Sequence, residues 1–432
     1  MSHGQEGRLN IVHLTAHVGG GIGKALSSLI AGDQGSTHHV VCLEQPEKPQ
    51  SVTQLQQLGA EVTVCPEPAM LAHILGQADI VQLEWWNHPA TLQCLAGLDH
   101  LPLRLLSWCH VSGLFNPVLP QQLLSLCDKV VLTSPCSLQA ASIASLQAVR
   151  PAQLAVISSG SGFAEQPLPV RRADEPLQLG YLGSLNFSKL HPRYVSYFSQ
   201  VALPLTIRMA GDVLNQQVLQ QQAVAIGKPD LLQFEGFTAQ PARFLASINV
   251  LPYLLNPSHY GTAENALLEA MAMGVVPIVL ANPAEQAVVR HGETGFVIDS
   301  AKEMAHTLQQ LQQAPDWRLA IGQAASVQVR EQFTSQAMAA AFARCYQAVL
   351  QQDKQARPFS QAIGSSPEQW FLSCQPHPQH FLQQQWPQLL AGDGRYALLE
   401  KTKGSVFHFH DHFPHNPALA DWSRALACCN DN

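Results

Sequence analysis

The chain has 432 residues, 46% of them hydrophobic and 13% charged, with a formal net charge of -7. Such a length allows two domains of ordinary size and an appendage, and the acidic balance gives no electrostatic case for nucleic acid or an anionic membrane as partner. No apolar run reaches the roughly 18 residues of a membrane span, and Met1–Thr15 lacks the apolar core of a signal peptide, so a cytoplasmic chain without a transmembrane segment is expected. The ten cysteines form no CxxC pair, and Cys42, Cys65 and Cys109 stand inside strand-like runs as small buried hydrophobes, which argues against a disulfide framework or a zinc site.

The first strand signal, RLNIVHLT, feeds directly into HVGGGIGKALSSLIAG, a glycine-rich turn that opens a helix. A P-loop would need a glycine where Val18 stands and Ser or Thr at Ala25, and a dinucleotide motif starting at Gly21 and Gly23 would need a glycine at Leu26. What is left is a strand end where Gly20 and Gly21 let backbone approach a ligand closely; a simple tight turn is the competing reading. Strand and helix signals then alternate through HHVVCLE, EVTVCPE, DIVQLEW, RLLSWCH, KVVLTS and AVISSG, which predicts a doubly wound parallel α/β sheet over 1–170. Two of these strands end on chemistry: one on Glu84, Trp85, Trp86, Asn87 and His88, the other on Trp108 and His110. An exposed indole beside a carboxylate suits a sugar, because the ring stacks on C–H faces while the acid takes hydroxyl protons. Glu84, Trp85, Trp86 and His88 are therefore the expected acceptor-binding residues, against the alternative that the rings are core.

RRADEPLQL is a charged, proline-containing break, and a second domain is expected over 171–350. LQLGYLGSLNFSKLHP reads as a strand ending at Gly183 and a loop carrying Lys189; LTIRMAGD and LLQFEGFT are further strands, the latter ending at Gly236 and Phe237. After the strand INVLPYL and the loop NPSHYG, the pattern predicts a helix from about Thr262 to Met273, stopped by Gly274 as a left-handed cap. A helix that starts just past a parallel strand aims unpaired N–H groups and a partial positive charge into a crevice, which suits a phosphate. Here those amides belong to Thr262, Ala263 and Asn265 and their neighbour Gly261. Glu269, two turns in, reads either as the acceptor for two ribose hydroxyls or as an exposed helix residue, and Glu264 as a first-turn capping acid. From Met304 to Gln351 the chain is expected to be helical, with Trp317, Phe333, Phe342 and Tyr346 as buried anchors.

The appendage, 351–432, is rich in Gln, Pro, His and Trp and contains VFHFHDHFPHNP. Alternating His408, His410 and His412 would share one face of a strand, a spacing compatible with a metal, yet no cysteine or glutamate completes the set. A packing or partner-docking segment is the expectation, and no metal is assigned.

NPSHYGTAENALLEAMAMG, followed by VVPIV and GETGFVI, resembles the donor-binding half of the retaining GT-B glycosyltransferases, the group 1 glycosyl transferases. The resemblance covers about residues 8–350 and implies two Rossmann-like domains facing across a cleft, with the C-terminal extension outside it. It implies transfer of a sugar from a nucleoside-diphosphate sugar to an acceptor hydroxyl with retention, the departing phosphate taking the proton, and no required metal or cofactor. Carried onto this chain, Glu269 would hold the ribose, Lys189 beside Gly183 would clamp the diphosphate, and the loop at Glu235, Gly236 and Phe237 would lie near the base. The loop of Gly20 and Gly21 would line the donor phosphates, and His110 would stand near the sugar carbon under attack. Two positions depart from the family: Gly261 stands where the first of two glutamates belongs, and Ser184 where an arginine belongs. Glu264 is the nearby acid that would substitute for the first, and Arg208 or Arg193 the cation for the second. His110, Lys189 and Glu264 are thus the expected catalytic groups; a catalytically inactive sugar-nucleotide-binding scaffold or partner subunit is the alternative that the two departures leave open.

Overall fold

The computed structural model describes residues 8–46, 48–163, 167–262 and 264–430. Two compact units emerge, one of Met1–Ser161, Ser335–Leu390 and Lys401–Asn432, the other of Gly162–Thr334 and Ala391–Glu400.

In the first unit, β1 (Leu9–Thr15), β2 (Ser36–Cys42), β3 (Glu61–Val64), β4 (Ile80–Trp85), β5 (Leu105–Cys109), β6 (Lys129–Leu132) and β7 (Leu154–Val156) form a parallel sheet in the order β3-β2-β1-β4-β5-β6-β7. In the second, β8 (Leu179–Leu182), β9 (Ile207–Ala210), β10 (Leu232–Gly236), β11 (Val250–Tyr253), β12 (Val276–Leu280) and β13 (Phe296–Ile298) form a parallel sheet ordered β10-β9-β8-β11-β12-β13. These are the expected strands, and their near-continuous apolar runs fit sheets covered by helices on both faces. Each order reverses direction once, at β1/β4 and at β8/β11, and that reversal opens a crevice at the carboxyl ends of the strands.

Helix Ser335–Leu350 belongs to the first unit, where it lies along helix Gly20–Gly32. A β-carbon at Gly32 would strike the Ser335 carbonyl, so glycine permits the approach. Phe342, Tyr346 and Val349 then join Ala25, Leu29 and Trp108 in one core cluster.

Several expectations need correction. The break between the units falls at Ser161 rather than at residue 170, and 351–432 is no separate body. Most of it builds onto the first unit, because Phe371, Phe381, Phe409 and Trp422 make an aromatic cluster and Arg357 ties the segment down, with Nε 2.5 Å from the Leu126 carbonyl and an ion pair to Asp128 at 2.6 Å. His408, His410 and His412 lie on helix Val406–His412, capped by the Ser405 hydroxyl, and not on a strand. Helical winding turns His410 away from the other two, and among the described residues no group of three His, Cys, Asp or Glu could hold a metal ion. Trp317 is 37% exposed rather than a buried anchor. Among the described residues no helix is long and apolar enough to cross a membrane.

Candidate active site

In the second unit the chain leaves β8 through Gly183 and Ser184. Gly183 N–H donates to the Ala210 carbonyl at 3.0 Å, and a β-carbon on Gly211 would run into the Gly183 carbonyl, so β8 and β9 exit side by side only because Gly211 has no side chain. Ser184, at the place of the missing cation, donates its hydroxyl to Asp212, which also accepts the Leu185 N–H at 3.1 Å. The following loop is pinned from two sides. Asn256 N–H donates to the Lys189 carbonyl at 2.8 Å and His191 N–H to Leu254 at 3.0 Å, while Glu400 accepts from the amides of Phe187 at 2.7 Å and Ser188 at 3.1 Å. Lys189 therefore projects from a fixed backbone at the β8/β11 reversal.

Glu264 meets it there. It is the N-cap of helix Asn265–Ala272 and adopts φ 44° and ψ 62°, a left-handed conformation. That conformation costs a residue with a side chain about 1–2 kcal/mol. The backbone turn folds its carboxylate back onto Gly261, where a β-carbon would overlap Glu264 Oε1. Oε2 accepts the Tyr253 hydroxyl at 2.7 Å and lies 3.1 Å from Lys189 Nζ. Oε1 is buried without a hydrogen-bond donor, with His259 Nδ1 at 3.7 Å. His259 in turn accepts the Gly261 N–H on Nδ1 at 3.0 Å and sets Nε2 3.2 Å from Glu285. Burial alone would raise the Glu264 pKa, but Lys189, then His259 and the Tyr253 hydroxyl, hold it below the usual carboxylate range. Burial likewise works against the Lys189 charge, and Glu264 more than offsets it, so the pair is ionic.

The helix begins at Asn265, not near Thr262, because the left-handed Glu264 cannot continue a helix. Its unpaired amides are those of Asn265, Ala266 and Leu267. Gly261 and Thr262 lie in the preceding loop, the Gly261 amide already bonded to His259, and Ala263 lies outside the described residues. Asn265 Oδ1 is buried without a donor. Glu269 is buried on the helix, not an exposed position, and Gly274 takes the expected left-handed cap at φ 70°. Gly236 (φ 70°) ends β10 and leaves Phe237 73% exposed. Neither arginine replaces the missing cation at Ser184: Arg208 pairs with Glu235 at 2.5 Å and Arg193 lies 3.7 Å from Asp393.

In the first unit, Gly20 and Gly21 are exposed at the start of helix Gly20–Gly32, while Gly23 is needed because a β-carbon there would meet the Val18 carbonyl. His110 is fixed past β5 by its N–H to the Trp85 carbonyl at 2.9 Å, and its Nε2 lies 2.8 Å from Glu84 Oε2. Glu84 has no exposed surface; its Oε1 lies 3.0 Å from His13 Nδ1 and accepts from Gln82 at 2.9 Å. Burial opposes its charge, yet His110 and His13 hold its pKa below normal.

The expected acceptor cluster is therefore corrected. β4 is central, with both faces covered, so Trp85 and Glu84 are fully buried. His88 is 1% exposed and caps helix Pro89–Ala96 by accepting the Ala90 N–H at 3.1 Å. Of the four residues only Trp86 keeps surface, its ring edge-on to His88 at 4.6 Å and His17 at 5.5 Å. Sequence reasoning passed over His13, His38, Tyr253, His259 and Glu285. The usable signal was His13 inside the apolar run NIVHLT, since a polar group in a central strand must find a buried partner.

Two Rossmann-like units with these sheet orders define the GT-B class, and solved structures agree. Anabaena HepE in complex with UDP and glucose has a TM-score of 0.63 at 16% identity, over 79% of this chain and 100% of that one. A glycosyltransferase from Rickettsia africae has a TM-score of 0.61 at 13% identity, over 79% and 99% of the two chains. Sucrose-phosphate synthase from Thermosynechococcus elongatus has 0.58 at 17% identity, over 80% and 100%. At such identities the likeness establishes the fold. No curated protein matches the chain by sequence. Residues 176–314, from just before β8 to the end of helix Ala301–Gln313 after β13, match the family described as glycosyl transferases group 1. Over that segment the chain is similar to that family.

Proposed function

We propose that the chain moves a sugar, with retention of configuration, from a nucleoside-diphosphate sugar to an acceptor hydroxyl. The second unit holds the donor. Lys189 and the amides that open helix Asn265–Ala272 take the diphosphate, Glu269 the ribose, and Phe237 lies against the base. Glu264 acts for the acid missing at Gly261 and receives a sugar hydroxyl on Oε1. His110 is the catalytic group that the resemblance assigns to the first unit. The departing phosphate takes the acceptor proton, so stabilising charge on the diphosphate is the main catalytic term and no separate protein base is needed. Neither metal nor cofactor forms part of this reading, and neither does nucleic acid. The UDP and glucose bound by HepE, a protein of the same fold, support the donor class. All ten cysteines are free, which supports a reducing, cytoplasmic location.

The observation that carries this reading is the position of Glu264. Its carboxylate occupies the space that a side chain at Gly261 would enter and pairs with Lys189, so the family's acid is supplied from three residues further along. A thermal-shift screen against UDP-, GDP- and ADP-sugars, followed by a donor-hydrolysis assay, tests it. One donor class should raise Tm and be slowly hydrolysed, and Lys189→Ala should abolish the hydrolysis. The internal neutralisation of Lys189 and the acid Asp212 beside Ser184 favour the second reading, a scaffold that binds without catalysis. Donor binding with neither hydrolysis nor transfer would select it.

A further inference from the structure

Five ionisable side chains of the first unit stand in a row below the ends of its central strands. Asp33 Oδ2 lies 3.3 Å from His38 Nε2, His38 Nδ1 2.9 Å from His13 Nε2, His13 Nδ1 3.0 Å from Glu84 Oε1, and Glu84 Oε2 2.8 Å from His110 Nε2. The C-cap of helix Gly20–Gly32, then β2, β1, β4 and the exit of β5 each supply one member. His13 and Glu84 have no exposed surface and His38 is 6% exposed. Replacing such a row by apolar side chains would commonly be neutral or stabilising, so packing alone does not call for it.

Proton counting gives the row a definite state. A ring nitrogen that faces an ionised carboxylate carries a proton, since otherwise lone pairs would oppose each other. Asp33 Oδ2, 3.3 Å away though not aligned for a hydrogen bond, favours a proton on His38 Nε2 by its charge, and Glu84 requires one on His13 Nδ1. If both rings were neutral, His38 Nδ1 and His13 Nε2 would face each other at 2.9 Å as two bare lone pairs. A third proton between them removes the conflict and makes the pair a single cation between two carboxylates. The two ring planes are nearly parallel, at 24°, with centroids 5.2 Å apart. The remaining polar groups close around the row: Gln82 donates to Glu84 and accepts the Tyr346 hydroxyl at 2.7 Å, and His39 on β2 turns to Thr63 at 2.8 Å and Glu61 at 3.7 Å.

We propose that one proton is held between His13 and His38, and that this row fixes His110 with its own proton on Nε2, leaving Nδ1 to accept a substrate hydroxyl. The assignment of Nδ1 to substrate rests on the function proposed above; the shared proton does not. Glu84, His13 and His38 are then positioning residues, acting on substrate only through His110.

Nitrogen-15 NMR of histidine-labelled protein without donor tests the first part. The expected result is an exchange-protected proton between the His13 and His38 rings and a His110 protonated on Nε2 alone at neutral pH, with the shared proton lost in Glu84→Gln. Where transfer is measurable, Glu84→Gln should lower kcat by about 10- to 100-fold with the donor KM unchanged and move the acid limb of the kcat profile to lower pH, since an anion beside His110 is gone. His38→Asn, three links away, should move that limb to higher pH, because Glu84 then loses its compensating cation. Two neutral rings with no proton between them would overturn the proposal, as would a His38→Asn protein whose Tm falls while its pH profile and His110 tautomer stay put. A protein that shows the shared proton but no transferase activity would end the functional reading and leave this one standing.

Discussion

The two crossover points, β1/β4 and β8/β11, share a topology and differ in how they handle charge. In the second unit a cation and an acid meet at the strand ends, with the Lys189 side chain still 23% exposed and Glu264 held by a strained backbone. In the first unit the acid, Glu84, is sealed between two imidazoles, and surface remains only toward the two ends of its row, at His110 and at Asp33 with His38. A charge left near the surface at a strand end can exchange its internal partner for a ligand. A sealed one can only set the state of its neighbour. The comparison supports direct ligand contact through Lys189 in the second unit and indirect action in the first unit's row.

The largest effect that this contrast predicts is for Lys189→Ala, which should lower turnover on the order of a hundredfold or more by removing charge that stabilises the leaving diphosphate. It should also destabilise the protein by about 1–3 kcal/mol, since Glu264 is left buried with fewer partners. The double variant Lys189→Ala/Glu264→Gln separates the two: Tm should recover and turnover should not. A recovery of both would return the pair to a purely structural role.

Next in size is Gly261→Ala. Its methyl would occupy the place of Glu264 Oε1 and force the carboxylate off Lys189. Overpacking of this kind costs about 1–3 kcal/mol, and transfer should fall on the order of tenfold or more if Glu264 touches the sugar. Gly261→Glu combined with Glu264→Ala presents the acid from the position the family uses, and should regain part of what Glu264→Ala alone loses. Steady-state rates of the three variants decide whether the acid's position or merely its charge matters.

How much of this was legible beforehand follows from what each signal depends on. All the strands at the two crossovers were visible as apolar runs; His110 was marked by its place at a strand end, and Lys189 and Glu264 by the family resemblance. The start of helix Asn265–Ala272 was misplaced because a left-handed Glu264 has no propensity signature; only the coordinates show the backbone reversing there. Trp85, Glu84 and His88 were read as a surface because strand-end residues usually face solvent, but β4 is enclosed on both sides and His88 caps the next helix. Nor could spacing reveal that His13 and His38, 25 residues apart, stand opposite each other on neighbouring strands, since that depends on the β1/β2 register. The helical His408–His412 segment was mistaken for a strand because alternating His and Phe imitates a period of two, while the Ser405 cap decides for helix.

A smaller effect should come from Phe237→Ala. The ring is 73% exposed past the left-handed Gly236, so its loss should leave folding stability within about 0.5 kcal/mol. If it stacks on the base, calorimetric titration with the nucleoside diphosphate should weaken by up to about tenfold, the worth of an aromatic stacking contact. Equal binding by variant and parent would remove Phe237 from the donor site without touching the roles of Lys189 and Glu264.

The smallest effect separates the units by pH. Glu264 has its pKa depressed below the ordinary 4.5, so its contribution to stability is present above about that value and fades only as pH falls further. His88 is a different case: burial first, then His408, His17, His412 and Lys403 nearby, push its pKa from 6.5 to about 2. An imidazole that stays neutral in the fold but takes a proton when unfolded gives stability that is whole above pH 6.5 and erodes below it. His408 is depressed as well and acts with the same sign. The slope set by one such group is about 1.4 kcal/mol per pH unit once well below 6.5. His88→Asn keeps an N-cap acceptor for Ala90 and removes the titration. Between pH 6.5 and 5.5 the parent should lose about 1 kcal/mol more than the variant in urea unfolding, with a reporter in the first unit following the loss and one in the second indifferent to it. Equal slopes in parent and variant would mean that Glu44, 3.4 Å from His88 Nε2, already stabilises a protonated ring, and that the first unit is no more acid-sensitive than the second.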